Sequence, residues 1–437
     1  MSTSTMTTSY YRFKPWNVGR WLIWSLFAVA LIAAPHVFRS SLALTMLSQM
    51  GYLIIICLSY NMLLGQGGML SFGHAVYTGL GSFIAVHAMN LAAAEGGVTV
   101  PLVLIPIVAG FAGMFFAALF GYVTTKKAGT TFAMITLGIG ELVASMALMF
   151  SGFFGGEGGV TTDRVYGSAF LGFNFGPQIQ VYYLIAFYCF VCTAAMFAFT
   201  GTPLGRMLNA VRDNPERVEF VGYNTQRVRY FSFIIAGFFA GIGGGLAAIN
   251  FEIVNAADSL NAIRSGGYLL FTFLGGATFF FGPIIGAVLL VFASILLSEL
   301  SKAWLLYLGL VFLFMVMFAP GGVASLIMMN VRVALFGKFK RFWLHYLKLI
   351  ATASLFIVGA AAIVEMVYHL QLNAALGPVV HFFGTSLDTS STTTWVVASA
   401  LLVVGVVLFE LVRRPFVRLW GQTQEEIEAE IKRRENA

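Results

Sequence analysis

Apolar and polar positions alternate along this chain in blocks: runs of roughly 20 hydrophobic residues, each long enough to cross a bilayer core, are parted by short polar stretches. The runs predict spans at 21–38, 42–64, 69–90, 101–124, 131–151, 179–200, 229–250, 266–281, 283–300 and 303–319, with a further pair at 347–368 and 395–412. Between Trp21 and Pro320 there is one long polar island, GTPLGRMLNAVRDNPERVEFVGYNTQRVR, Gly201 to Arg229. Thr202 is placed to cap a helix opened by Pro203, whose fixed φ suits the first helical position. Met207, Leu208 and Val211 then share one face. Asn214 and Pro215 interrupt the run and open a second short helix through Glu219, which Gly222 stops. The island is too charged for hydrocarbon and too apolar on one face to float free, so it predicts a helical elbow held at the membrane surface.

Two hydrophobic runs are themselves broken. In YNMLLGQGGMLSFGHAVYTGLGSF, Tyr60 to Phe83, Gly65, Gly67, Gly68, Gly73, Gly79 and Gly81 allow an unwound stretch, whose freed backbone groups have to be buried in protein or face water. In GGYLLFTFLGGATFFFGPIIGAV, Gly266 to Val288, the first piece has about 16 residues, some 24 Å of helix against a core of about 30 Å. It reads either as a thin span or as a half-helix ending near Gly282 and Pro283. Discontinuous helices in two halves of a chain point to a transport path. The candidate path residues are Gln66, Gly68, Ser71 and His74 in the first break and Gly276 in the second. Glu141, within ITLGIGELVAS, joins them because a carboxylate in a span needs a partner or a cavity. Glu365 and His87 are weaker candidates, and a packing role for His74 stays open.

Composition sharpens this. At 59% hydrophobic and 10% charged, with a mean hydropathy of +0.86, the 437 residues exclude a soluble fold. The net charge of +7 does not signal nucleic acid, because the cations sort by side when the spans alternate. One face collects Arg12, Lys14, Arg20, Lys126, Lys127, the elbow arginines, Arg332, Lys338, Lys340, Arg341, Arg413, Arg414 and Arg418; the other receives Arg39, Arg164, Arg264 and Lys302. That pattern predicts a retained first span and cytoplasmic termini. Cys57, Cys189 and Cys192 lie in apolar runs and suggest neither disulfide nor metal. The outer loop Ser151 to Gln178 reads equally as a docking surface or a linker. Val331 to Leu349 predicts a basic, aromatic interfacial helix, and Thr423 with Glu426 a capping box opening a short tail helix. No phosphate loop, HExxH or GxSxG occurs, so no catalysis and no bound cofactor are expected of this chain.

YNMLLGQGGMLSFGHA, then GRMLNAVRDNPERVEFVGYNTQRVRYFSFIIAGFFAGIGGGLAA, LGGATFFFGPIIGA and LLYLGLVFLFMVMFAPGGVASLI, in that order over Met46 to Ile327, resemble the membrane subunit of bacterial branched-chain amino acid importers, the LivM type of ABC permease. The resemblance implies an all-α polytopic transmembrane helical bundle with discontinuous helices and a cytoplasmic coupling segment. It implies an inner-membrane importer subunit that receives an amino acid from a periplasmic binding protein and pairs with a second, related permease. Separate cytoplasmic subunits would bind ATP and magnesium. The coupling segment would include Gly205, Arg206, Arg212, Asp213, Pro215, Glu216 and Gly222, with Arg212 and Asp213 on the face offered to the ATPase. The expected organisation is a cytoplasmic N-terminus (1–20), a permease core (21–327) and an extension with two more spans (328–437), on which the resemblance is silent. Two alternatives stand: a permease for urea or short amides, and a secondary carrier or channel, which would call for more paired ionisable residues in the spans.

Overall fold

A computed structural model describes residues 18–94, 100–166, 174–372, 377–382 and 385–435. Arg12 and Lys14 of the expected cytoplasmic N-terminus, and residues 167–173 of the outer loop, lie outside the described residues. The chain divides into two compact units, Met1–Tyr268 and Leu269–Ala437. The first holds α1 (Val18–Val37), α2 (Ser41–Asn61), α3 (His74–Ala93), α4 (Ile105–Thr124), α5 (Gly129–Met149), α6 (Ser151–Phe154), α7 (Gln178–Gly201), α8 (Pro203–Asp213), α9 (Pro215–Phe220), α10 (Thr225–Phe251) and α11 (Ala256–Ser259). Helix α12 (Ala262–Gly275) runs across the division. The second unit continues with α13 (Gly282–Phe292), α14 (Ser298–Leu300), α15 (Trp304–Phe318), α16 (Gly322–Leu335), α17 (Trp343–Leu372) and α18 (Thr392–Glu435).

Helix α10 is the axis of the first unit, packed between α2, α3 and α4. Small residues let the backbones meet: a side chain at Gly237 would run into Ala117 of α4, one at Gly241 or Gly245 into Ala109, and one at Gly244 into the Thr78 carbonyl of α3. Ser82 donates to the Gly244 carbonyl at 2.8 Å, an interhelical bond contributing roughly 1 kcal/mol in a membrane protein. At the end of α10 the chain turns through Glu252 in the left-handed region (φ 57°), and β2 (Ile253–Val254) pairs antiparallel with β1 (Val160–Thr161). The Glu252 carboxylate accepts from the Arg164 backbone amide at 2.9 Å, and the Arg164 guanidinium donates to the Gly176 carbonyl. The described part of the outer loop is therefore fastened to the bundle, not a free linker.

In the second unit α15 and α16 meet at a 50° bend, and α17 and α18 form an antiparallel pair closed by β3 (Val379–Phe382) and β4 (Thr385–Asp388). Val333, Phe342 and Ile427 are fully buried together, with Tyr346, Phe416 and Trp420 packed around them.

Several expectations are corrected. Among the described residues nine helices are long and apolar enough to cross a membrane, ten if the bent pair counts as one span; of the twelve predicted runs, 21–38 is helical but shorter in its apolar part, and 266–281 is helical only to Gly275. The second broken run stops being helical at Gly275, not near Gly282, so α12 has 14 residues, about 21 Å. Val331 to Leu349 is not one helix: α16 ends at Leu335, Gly337 turns the chain with φ 70°, and α17 starts at Trp343. Thr423 caps nothing. It is buried inside the continuous α18 and donates to the Leu419 carbonyl at 2.8 Å, while Glu426 pairs with Lys338 and Arg341.

Candidate functional site

Helix α2 ends in a widened π turn, Met62–Gln66, and the chain then unwinds before α3 starts at His74. Gly68 there has φ 62°, which a β-carbon would strain. Tyr60 pins the unwound stretch by donating to the Ser71 carbonyl at 2.9 Å, and its ring stands edge-on to His74, centroids 5.1 Å apart. Ser59 spends its proton on the Ile56 carbonyl (2.7 Å), so its contact with His74 Nε2 at 2.9 Å has the imidazole as donor. That assigns the proton to Nε2 and leaves Nδ1 an acceptor. His74 Nδ1, Asn61 Oδ1, Gln66 Oε1 and Ser71 Oγ are all buried without a protein hydrogen-bond partner. Buried polar atoms are normally hydrogen-bonded, so these four are the polar groups of the first unit that stand out around the break. Of the predicted residues, Ser71 and His74 meet through Tyr60, while Gln66 is buried in the π turn that precedes them.

The elbow forms as its sequence dictates. Thr202 Oγ1 accepts from the Gly205 amide at 3.2 Å and Asn214 Oδ1 from the Arg217 amide at 3.0 Å, capping α8 and α9. Leu208, Val211 and Val218 are buried, and Gly222, at φ 90°, ends α9. A β-carbon at Gly205 would run into the Phe199 carbonyl. Arg206, Asp213, Pro215 and Glu216 are exposed.

Arg212 is exposed as well, and it also reaches back to the helix break. Its guanidinium donates to the Gly65 carbonyl in the π turn, its Nε to Asp213 at 2.9 Å, and its stem lies where a β-carbon on Gly68 would come within 2.8 Å of Cγ. The elbow is thereby tied directly to the broken helix. Sequence patterning missed the outer tip: Phe220, Val221 and Tyr223 are 89%, 73% and 50% exposed, an apolar knob beside charged neighbours. The signal was present in EFVGY, whose apolar residues fall off the Leu208–Val211 face.

The other candidates lie elsewhere. Glu141 is on an exposed face of α5 and does not join the cluster. Gly276, in the second unit, has φ 114° and lies so close to Gly321 that a β-carbon would come within 2.5 Å of its carbonyl oxygen. Glu365 accepts hydrogen bonds from Ser301 and, at 3.0 Å, from Tyr307, which gives it a packing role. His87 bonds the Phe153 carbonyl at 2.7 Å. The three cysteines are buried and form no disulfide.

A helical membrane bundle with a polar helix break, gripped from the surface by a capped two-helix elbow, is the architecture of a transport permease. The chain belongs to the family described as branched-chain amino acid transport system / permease component, which it matches over residues 42–321. It is similar to the high-affinity branched-chain amino acid transport system permease protein LivM of Escherichia coli (strain K12), 26% identical over 294 residues, 62% of this chain and 67% of that one. It is also similar to the protein of the same name from Salmonella typhimurium, 25% identical over 292 residues with the same coverage. No solved structure matches. The matched region contains both helix breaks and the elbow, whereas α17 and α18 fall outside it.

Proposed function

We propose that this chain is the membrane permease subunit of an ATP-driven importer that carries branched-chain, hydrophobic amino acids from periplasm to cytoplasm across the bacterial inner membrane. In this reading α8 and α9 dock on cytoplasmic ATP-binding subunits, which hold ATP and magnesium, and both termini are cytoplasmic. A periplasmic amino-acid-binding protein delivers the solute, and a second, related permease completes the pathway. The observation that supports it best is the Arg212 tether: a surface elbow suited to a soluble partner is joined by one side chain to the polar break in the span. Movement of the elbow then reaches the break without passing through the bundle.

The test is ATP hydrolysis stimulated by loaded binding protein, measured on the reconstituted complex. Arg212→Glu places a carboxylate against the Gly65 carbonyl; the protein is expected to insert and assemble but to lose the stimulation. Stimulation equal to the unchanged protein would refute the tether.

A second reading, a permease for urea or short amides, is favoured by the uncharged side chains of Asn61, Gln66 and Ser71 at the break. Counterflow of labelled leucine against urea or acetamide separates the two.

A further inference from the structure

Behind the break, and within the first unit, is a second polar feature that neither the family match nor the motifs assign. A cavity of about 50 Å³ lies between α2, α3, α10, α11 and α12, lined by Tyr52, Thr78, Ser82, Ser259, Arg264 and Tyr268 among others. A water-sized group occupies about 10–15 Å³ of such space, so the cavity has room for a small polar head. Its walls are kept open by absent side chains: a β-carbon at Gly79 would come within 2.5 Å of Leu260 Cδ2, and one at Gly244 would run into the Thr78 carbonyl. Arg264 is the cation among the lining residues, and it donates a hydrogen bond to Tyr268. Asp258 lies near enough to act on Arg264 but does not line the cavity. The next residue along, Ser265, accepts from the Ala75 amide at 2.9 Å, so the start of α12 is fixed to the start of α3. Thr78 follows His74 by one helical turn, so cavity and break are about 6 Å apart along α3.

We propose that this cavity receives the carboxylate of the transported solute, with Arg264 as its counter-charge; the inference rests on the amino-acid reading above. A guanidinium presents a planar fork of donors that matches a carboxylate in two-point contact. Ser82 and Thr78 commit their hydroxyl protons to backbone carbonyls, Gly244 and Thr78 for the former and Ala75 for the latter. They therefore shape the pocket, and the guanidinium carries the recognition. Urea or an amide, having no charge, has no use for Arg264.

The experiment uses the permease assembled with its ATPase subunits and carrying Ser259→Cys, a partly exposed lining position, labelled with a small methanethiosulfonate. Leucine at saturation is expected to slow labelling, whereas leucinamide, which lacks the carboxylate, does not. Arg264→Gln is expected to weaken the leucine effect about tenfold or more in half-protecting concentration, the loss of one charged hydrogen-bonding partner, and Arg264→Lys to retain part of it. Equal protection by leucine and leucinamide, protection unchanged in Arg264→Gln, or no protection by leucine would each overturn the assignment. Uptake on the same preparation keeps the two readings apart. If leucine accumulates equally with and without Arg264, the site is wrong and the importer stands; if only amides accumulate, the amino-acid reading itself falls.

Discussion

At the scale of single residues, Gly68 carries the sharpest consequence. It combines a left-handed backbone with a site already taken by the Arg212 stem, so any side chain there meets strain of about 1–3 kcal/mol and displaces the tether. Gly68→Leu is expected to abolish uptake per inserted molecule while expression falls less; uptake falling only in proportion to the protein present would show that the glycine merely packs. Gly276→Leu should behave likewise, because its φ and the nearby Gly321 carbonyl leave no room. Local chemistry at this scale is legible in the sequence: the caps Thr202 and Asn214 and the stop at Gly222 depend on neighbours within a few residues. The contact of Arg212 with Gly65 is not, since the two are 147 positions apart and no local rule brings them together. Arg264 is hidden for the same reason, its surroundings being drawn from α2, α3 and α10.

At the scale of elements, the elbow offers two faces with separate duties. Leu208, Val211 and Val218 hold it to the bundle, while Phe220, Val221 and Tyr223 project outward. Replacing Phe220 by Asp should leave the permease in the membrane but sever it from its ATPase, because an exposed apolar anchor loses its desolvation gain when charged. Co-purification measures this, and a full complement of ATPase on Phe220→Asp would assign docking to the charged rim instead. Helix ends are the least legible elements. The hydropathy of 266–281 continues past Gly275, where Gly275, Gly276 and Gly282 fold so tightly on one another that α12 has to stop. Conversely Thr423 looks like a cap in isolation, yet α18 runs through it because Ile427 is buried against Val333 and Phe342.

At the scale of the whole molecule, the family match ends near the α15–α16 bend, and the chain beyond that bend packs on the residues before it through Val323 and Glu365. A chain ending at Asn330 is expected to retain uptake per assembled complex but to accumulate to lower levels, since Ser301 and Tyr307 lose Glu365 and α16 is cut before Val333, the residue it buries against Phe342 and Ile427. If that shortened chain assembles with its ATPase and moves nothing, the extension belongs to the transport machinery. Helix α18 itself has 44 residues, about 66 Å of rod against a hydrocarbon core of about 30 Å. Its apolar part ends near Leu411, and the 24 residues beyond, roughly 36 Å of helix, carry the buried face on Val333 and Phe342, so a fluorophore at Glu428 is expected to escape quenchers confined to acyl chains.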